Sequence, residues 1–302
     1  MAEDTIFALS SGAGLSGVAI FRLSGPKTRF ALETIGGTLP AARRASLRAL
    51  RRAADGAVID RGLVLWLPGP GSFSGEDMGE FHVHGGRAVQ TALAEALAAL
   101  PGLRPAEAGE FTRRAFENGR LDLTEAEGLA DLILAETEAQ RRQAVAAMEG
   151  AVGRLYEGWR SRLVHALAHV EAGLDFADEE DVGGDLVGAA RAQAHAVAAE
   201  IAAHLGDGHR GERLREGVKV VIAGPVNAGK STLMNALARR DVAIVSRQAG
   251  TTRDILEVHL DLGGYPVILS DTAGLRKSGD DIEAEGVRRA RRALEQADIV
   301  LW

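Results

Sequence analysis

The stretch Val218–Ser231, VKVVIAGPVNAGKS, decides how the rest of the chain is read. Its first part, Val218 to Ala223, is a short β-branched run with the composition of a buried strand. Gly224-Pro-Val-Asn-Ala-Gly229-Lys230-Ser231 then spells G-x-x-x-x-G-K-[ST], and the segment Thr232 to Ala238 can continue as a helix. Glycines at these positions let the backbone wind closely around phosphate oxygens. The freed N–H groups and the helix N-terminus attract negative charge. Lys230 is placed to reach the β- and γ-phosphates, and the Ser231 hydroxyl to ligate Mg²⁺. Strand, loop and helix in this order are the context in which the motif binds a nucleoside triphosphate.

Downstream, the run Tyr265–Ser270 reads as a strand that ends in Asp271-Thr272-Ala273-Gly274, a D-x-x-G element. Asp271 can act on Mg²⁺ through water, and the Gly274 N–H can meet a γ-phosphate. Between the two lies Ser246-Arg247-Gln248-Ala249-Gly250-Thr251-Thr252-Arg253-Asp254. Its T-T-R-D resembles the first switch of translation-factor-like GTPases, in which a threonine completes the Mg²⁺ shell; that role falls on Thr252. A lone D-x-x-G is weak, but the three elements in this order and spacing reinforce one another. Enzymes of the Ras type place a Gln after D-x-x-G to orient water; here the residue is Leu275, so water positioning needs another polar group.

With 302 residues, two or three domains are expected rather than one core. The net charge of -7 advertises neither nucleic-acid nor membrane binding overall. The absence of cysteine excludes disulfides and thiolate metal sites within this sequence. The start, MAEDTIFALSSG, lacks the basic and apolar regions of a signal peptide, and no apolar run approaches the ~20 residues of a membrane span. A cytoplasmic location without a membrane partner is the expectation.

Before the loop, two textures alternate. Residues 1–119 carry strand-like runs at Thr5–Leu9, Gly17–Leu23, Leu63–Leu67 and Glu80–His84, with helices near Thr28–Ile35 and Arg87–Leu100. This predicts a mixed α+β unit. His82 and His84 share a face at i, i+2, a conceivable metal pair for which no third ligand is evident. The basic run Arg43–Arg52 reads as a solvated helix or loop face, with tRNA contact as the lesser alternative. Residues 120–216 are rich in Ala, Leu, Glu and Arg, predicting long helices that begin near Asp122-Leu-Thr124-Glu125 and cover Leu155–Leu174 and Leu186–Leu205. Gly206-Asp-Gly208 interrupts the approach to the nucleotide domain. The acidic loop Asp175–Asp181 reads as solvated, since its spacing is not that of an EF-hand.

Three segments, DTIFALSSGAGLSGVAIFRLSGP (4–26), SFSGEDMGEFHVHGG (72–86) and GEFTRRAFENGRLDLTEAEGLADLI (109–133), resemble the amino-terminal half of the MnmE (TrmE) family of tRNA-modification GTPases, and the resemblance continues through the phosphate loop. It implies a folate-binding domain similar to the glycine-cleavage T protein over 1–119, which also forms a homodimer contact. It implies a helical domain over 120–216, completed in the family by helices that follow the GTPase domain, and the first part of a P-loop GTPase domain over 217–302. Folate-contacting positions fall on Arg22, Glu80 and Arg120. A carboxylate suits the paired donor edge of a pterin, and basic groups suit the glutamate tail of a 5,10-methylene- or 5-formyl-tetrahydrofolate.

GTP contacts fall on Asn227, Ala228, Gly229, Lys230, Ser231, Thr232, Ser246, Arg247, Gln248, Ala249, Gly250, Thr251, Thr252, Asp271, Thr272, Ala273 and Gly274. Glu283 matches the family's water-positioning glutamate; on sequence grounds alone it reads rather as a first-turn helix acid favoured by the dipole. The resemblance also implies a K⁺ ion, whose family ligands match Asn227, Ser246, Gln248 and Thr251; it would offer the charge that an arginine finger brings. The implied activity is GTP hydrolysis coupled to formation of a carboxymethylaminomethyl-type group on tRNA uridine U34, together with an FAD-containing MnmG (GidA) partner. A regulatory or assembly switch GTPase is the alternative, for which the folate-like domain would have no use. The sequence stops at Asp298-Ile-Val-Leu-Trp302 in a strand-like run, before any N/T-K-x-D guanine element or carboxy-terminal cysteine motif. A fragment or truncated gene model is therefore expected, binding GTP poorly by itself.

Overall fold

The computed structural model describes residues 4–12, 14–175, 185–207, 210–225, 228–238, 243–244, 257–271 and 291–302. The chain divides into two compact units, Met1–Ala126 and Glu127–Trp302.

The first unit contains β1 (Thr5–Leu9), β2 (Ser16–Ser24), α1 (Thr28–Gly36), β3 (Ser46–Arg51), β4 (Val58–Leu67), β5 (Met78–Gly85), α2 (Arg87–Ala98), β6 (Leu103–Pro105) and α3 (Glu110–Glu117). Its sheet has the order β3-β4-β5-β2-β1-β6, antiparallel except where β1 meets β6. Alternation along the strands explains the core. Phe21 and Leu23 of β2 and Phe81 and Val83 of β5 point to one face. There they pack with Leu32 and Ile35 of α1 and Leu93 and Leu97 of α2. The intervening residues Arg22, Glu80, His82 and His84 lie on the opposite face, which is how these four come to share a surface.

One segment differs from its sequence reading. The basic run around Arg43–Arg52 is neither helix nor loop over Ser46–Arg51: it is the edge strand β3, paired antiparallel with β4 from Ser46↔Val64 to Leu50↔Asp60. Ala, Leu and Arg favour helix locally. Here burial of Leu50 and the ladder to β4 outweigh that preference, because strand propensity is mostly a matter of tertiary context.

The second unit contains α4 (Leu123–Leu134, which straddles the division), α5 (Glu138–Met148), α6 (Ala151–Asp175), α7 (Leu186–Leu205), α8 (Arg210–Glu216), β7 (Val218–Ile222), α9 (Lys230–Ala238), β8 (Ala243–Ile244), β9 (Glu257–Leu262), β10 (Tyr265–Asp271) and β11 (Ile299–Leu301). Asp122 caps α4: its Oδ1 accepts from the Glu125 N–H while Glu125 Oε2 accepts from the Asp122 N–H. Thr137 and Gln140 form the equivalent reciprocal box at the start of α5. The hairpin of α6 and α7 is fastened by Glu200, which accepts from Trp159 Nε1 at 3.0 Å and Arg162 Nη1 at 2.7 Å. Leu163, Val164 and Leu167 remain exposed on α6.

The second sheet has the order β11-β7-β10-β9-β8. β7 is parallel to both β10 and β11, while β9 runs antiparallel to β10. Val220, Ile222, Met234, Leu260 and Leu269 form its core. The helices grip this sheet through polar contacts. The Ala139 N–H donates to Gly264 O at 3.1 Å, Glu136 pairs with His259 at 3.0 Å, and Arg213 pairs with Asp298 at 2.8 Å.

Candidate functional site

Buried β7 ends at Ile222, and the chain turns at once into the glycine loop. In the parallel ladder Ile222 stands opposite Asp271 of β10 on one side and Leu301 of β11 on the other. Three strands thus deliver their carboxyl ends to one edge, where ligands of parallel α/β sheets bind. The D-x-x-G aspartate arrives beside the loop by register alone.

Gly224 has φ 139° and Gly229 has φ 86°, backbone angles that L-residues with a Cβ rarely adopt. This is the physical reason for glycine at both positions of the motif. Lys230 opens α9, and its side chain is almost wholly buried. Its Nζ donates to Gly224 O at 3.0 Å and Pro225 O at 2.7 Å. The ammonium is thereby held inside the curl of the loop that leads into α9, where the Leu233 N–H donates to Gly229 O. Two carbonyls and one cation at the mouth of a helix make a site that would accept phosphate oxygens by exchanging carbonyl partners for anionic ones.

Ala228 and Gly229 are exposed on the loop, and Thr232 is exposed in the first turn of the helix. For Ser231 and Asp271 the backbone alone is described. The remaining nucleotide and ion positions of the sequence reading, Asn227, Ser246, Arg247, Gln248, Ala249, Gly250, Thr251, Thr252, Thr272, Ala273, Gly274 and Glu283, lie outside the described residues. So does the acidic segment beyond Asp175.

On the first sheet, Arg22 and Glu80 are direct cross-strand partners in the β2–β5 register. Arg22 donates to Glu80 Oε1 from Nε at 3.1 Å and from Nη2 at 2.9 Å. His82 Nε2 lies 2.9 Å from Glu80 Oε2. His84 turns to another carboxylate: its Nδ1 is 2.9 Å from Asp60 Oδ1, and its backbone N–H donates to Asp60 Oδ2. Burial of Asp60 works to raise its pKa, but the His84 and Arg61 hydrogen bonds prevail and hold it below the usual range. The two histidines therefore serve separate carboxylates, and among the described residues no group of three potential metal ligands forms. Arg120, the third predicted folate contact, is exposed. Its N–H donates to Ala115 O, and a Cβ added at Gly75 would sit 3.2 Å from its Cγ. It joins neither Arg22 nor Glu80 in a hydrogen bond or ion pair.

A buried charge cluster in the same unit has no counterpart in the sequence reading. Arg114, on α3 and 4% exposed, pairs with Asp4 at 2.8 Å, Glu110 at 3.0 Å and Glu76 at 3.3 Å. Arg104 adds a second cation to Glu110, at 2.6 Å. Hydrogen bonding from Arg104, joined by Arg114, holds the Glu110 carboxyl down at about 2 against the burial that would raise it. The Ser24 hydroxyl donates to Glu76 Oε2 at 2.6 Å and links the cluster to the end of β2. Residues so far apart in sequence leave no local pattern to read.

Comparison with known proteins fits both units. A family profile described as "GTP-binding protein TrmE N-terminus" matches residues 5–120, and one described as "MnmE helical domain" matches residues 123–299. The chain is 57% identical over 299 residues to the mitochondrial 5-taurinomethyluridine tRNA synthase subunit GTPB3 of Danio rerio, covering 99% of this chain and 60% of that protein. It is 60% identical over 297 residues to the tRNA modification GTPase MnmE of Parvibaculum lavamentivorans, covering 98% and 68% respectively. It is 58% identical over 313 residues to MnmE of Rhodospirillum rubrum, covering 100% and 69%. The sequence thus spans roughly two thirds of the length of these relatives. The chain belongs to the MnmE family.

Proposed function

We propose, from that membership and from the loop geometry, that the protein is a GTP-hydrolysing enzyme of tRNA wobble-uridine modification. The observation that carries the reading is Lys230 held inside a loop with left-handed glycines, with Asp271 in register beside the last residue of β7. The relatives named for tRNA modification include bacterial and mitochondrial proteins. On this reading 217–302 is the first part of a P-loop GTPase domain. The loop amides, Lys230 and the switch residues would surround the triphosphate. Mg²⁺ would be held by Ser231 and Thr252, and K⁺ by Asn227, Ser246, Gln248 and Thr251. Either ion would supply positive charge against the phosphates, and Glu283 would orient the attacking water.

The first unit, with Arg22, Glu80 and Arg120, would bind the tetrahydrofolate one-carbon donor and pair with a second copy. The FAD-containing MnmG partner would supply redox chemistry for U34 of the tRNA. Charge at the two sites suits the two ligands: a cation in the anion-binding loop, and a fixed carboxylate facing outward on the sheet. No helix among the described residues is long and apolar enough to cross a membrane.

The test is made in cells carrying the full-length protein as their sole source of this activity. Mass spectrometry of U34 should show the modified base with wild type and unmodified uridine with Lys230→Ala. Modified U34 at wild-type level in the variant would refute the reading.

A further inference from the structure

His82 stands next to the proposed folate carboxylate and has been given no role. It sits on β5 two residues after Glu80, on the same open face of the sheet. Its cross-strand neighbours are Ile20 on β2 and Leu63 on β4. The His82 and Glu80 side chains are only 24% and 13% exposed, which limits the water that could compete for their hydrogen bond. An ionised carboxylate offers about four acceptor positions. Glu80 uses two of them on Oε1 for Arg22 and one on Oε2 for His82. The open position is thus on Oε2, the oxygen that His82 holds. A carboxylate only accepts, so the imidazole Nε2 must carry the proton and donate. Arg22 fixes one oxygen, His82 fixes the other, and the plane of the carboxylate is set.

We propose that His82 is a positioning residue. By pinning Oε2 it aims the one remaining lone pair of Glu80 at a single donor of the pterin edge, the 2-amino group, and so sets affinity and selectivity for that group. The inference rests on the folate reading of Arg22 and Glu80 given above. It requires no covalent step and no proton transfer.

The test is a set of calorimetric titrations of the 302-residue chain with 5-formyltetrahydrofolate and with its 2-desamino analogue. Wild type, His82→Leu, His82→Gln and Glu80→Gln are compared. Loss of one positioning hydrogen bond should weaken 5-formyltetrahydrofolate about tenfold in His82→Leu, and the amide donor of His82→Gln should restore it to within about threefold. The analogue, which lacks the amino donor, should bind wild type and His82→Leu alike. If His82→Leu binds 5-formyltetrahydrofolate as tightly as wild type, or weakens both ligands equally, His82 has no positioning role. If wild type binds no folate, or Glu80→Gln binds as tightly as wild type, the folate reading itself fails, and this inference with it.

Discussion

On the first sheet the candidate ligand groups are side chains that hold one another: Arg22 on Glu80, Glu80 on His82. On the second sheet the candidate site is a single curl of backbone between β7 and α9, with Lys230 folded onto the carbonyls of that same curl. The first site is assembled from strands 58 residues apart. The phosphate loop of the second is contiguous over eight residues, with Asp271 of β10 brought beside it by register. A contiguous site carries its geometry in glycine φ angles and a helix N-terminus, and survives wherever a strand and helix can flank it. An assembled site depends on sheet register, since a slip of one residue would move Glu80 to the core face. The first unit accordingly invests in long-range ion pairs, including the buried cluster around Arg114.

That contrast can be broken by substitution. The largest effect is expected at Arg114. Arg114→Met leaves Glu76 without its cation and Asp4 and Glu110 with Arg104 alone, and loss of one partner from a buried charge cluster costs about 3–5 kcal/mol. Chemical denaturation followed on the first unit should show that loss. A change below about 1 kcal/mol would mean the cluster does not hold the fold.

Next comes Lys230→Ala in the full-length protein. Removing a charge that stabilises the transferring phosphoryl group should lower GTP turnover on the order of 10²–10³-fold. Folate binding and first-unit stability should stay unchanged. If folate binding fell as well, the two sites would not be independent in the way their construction suggests.

Acid should act on the first unit through Glu110. Its folded pKa of about 2 lies below the value of 4.5 for a free glutamate, so the stabilisation is complete above about pH 5. It is lost as pH falls toward 2, by ~3 kcal/mol in total. Denaturation midpoints measured from pH 6 to pH 2 should show the slope, and Glu110→Gln should flatten it. An equal slope in that variant would place the acid sensitivity elsewhere. The smallest effect belongs to the partly exposed Glu136–His259 pair, where Glu136→Gln should cost no more than about 1 kcal/mol in the second unit. A loss above ~2 kcal/mol would give this contact of the segment before α5 to the second sheet a weight that its exposure does not suggest.

Legibility in the sequence follows the same division. The glycine loop, the strand before it and α7 from Leu186 to Leu205 were readable because each is specified by neighbours along the chain. Strand alternation placed His82 and His84 on one face, but not their separate carboxylate partners, which arrive from Glu80 and from Asp60 on β4. The strand β3 was misread because Ala, Leu and Arg favour helix until β4 supplies a ladder. The second reciprocal cap, Thr137 with Gln140, was present as a local signal and would have separated α5 from α4. Nothing local foretold Arg114 with Asp4, since 110 residues separate them.

The central claim is that the loop after β7 encloses the phosphates of a nucleotide. It is tested most directly by a crystal structure of the full-length protein with Mg²⁺ and a non-hydrolysable GTP analogue. Lys230 Nζ should have left Gly224 O or Pro225 O for β- and γ-phosphate oxygens at ~3 Å, with Asp271 facing the metal. An analogue bound elsewhere, with Lys230 still on both carbonyls, would contradict the account.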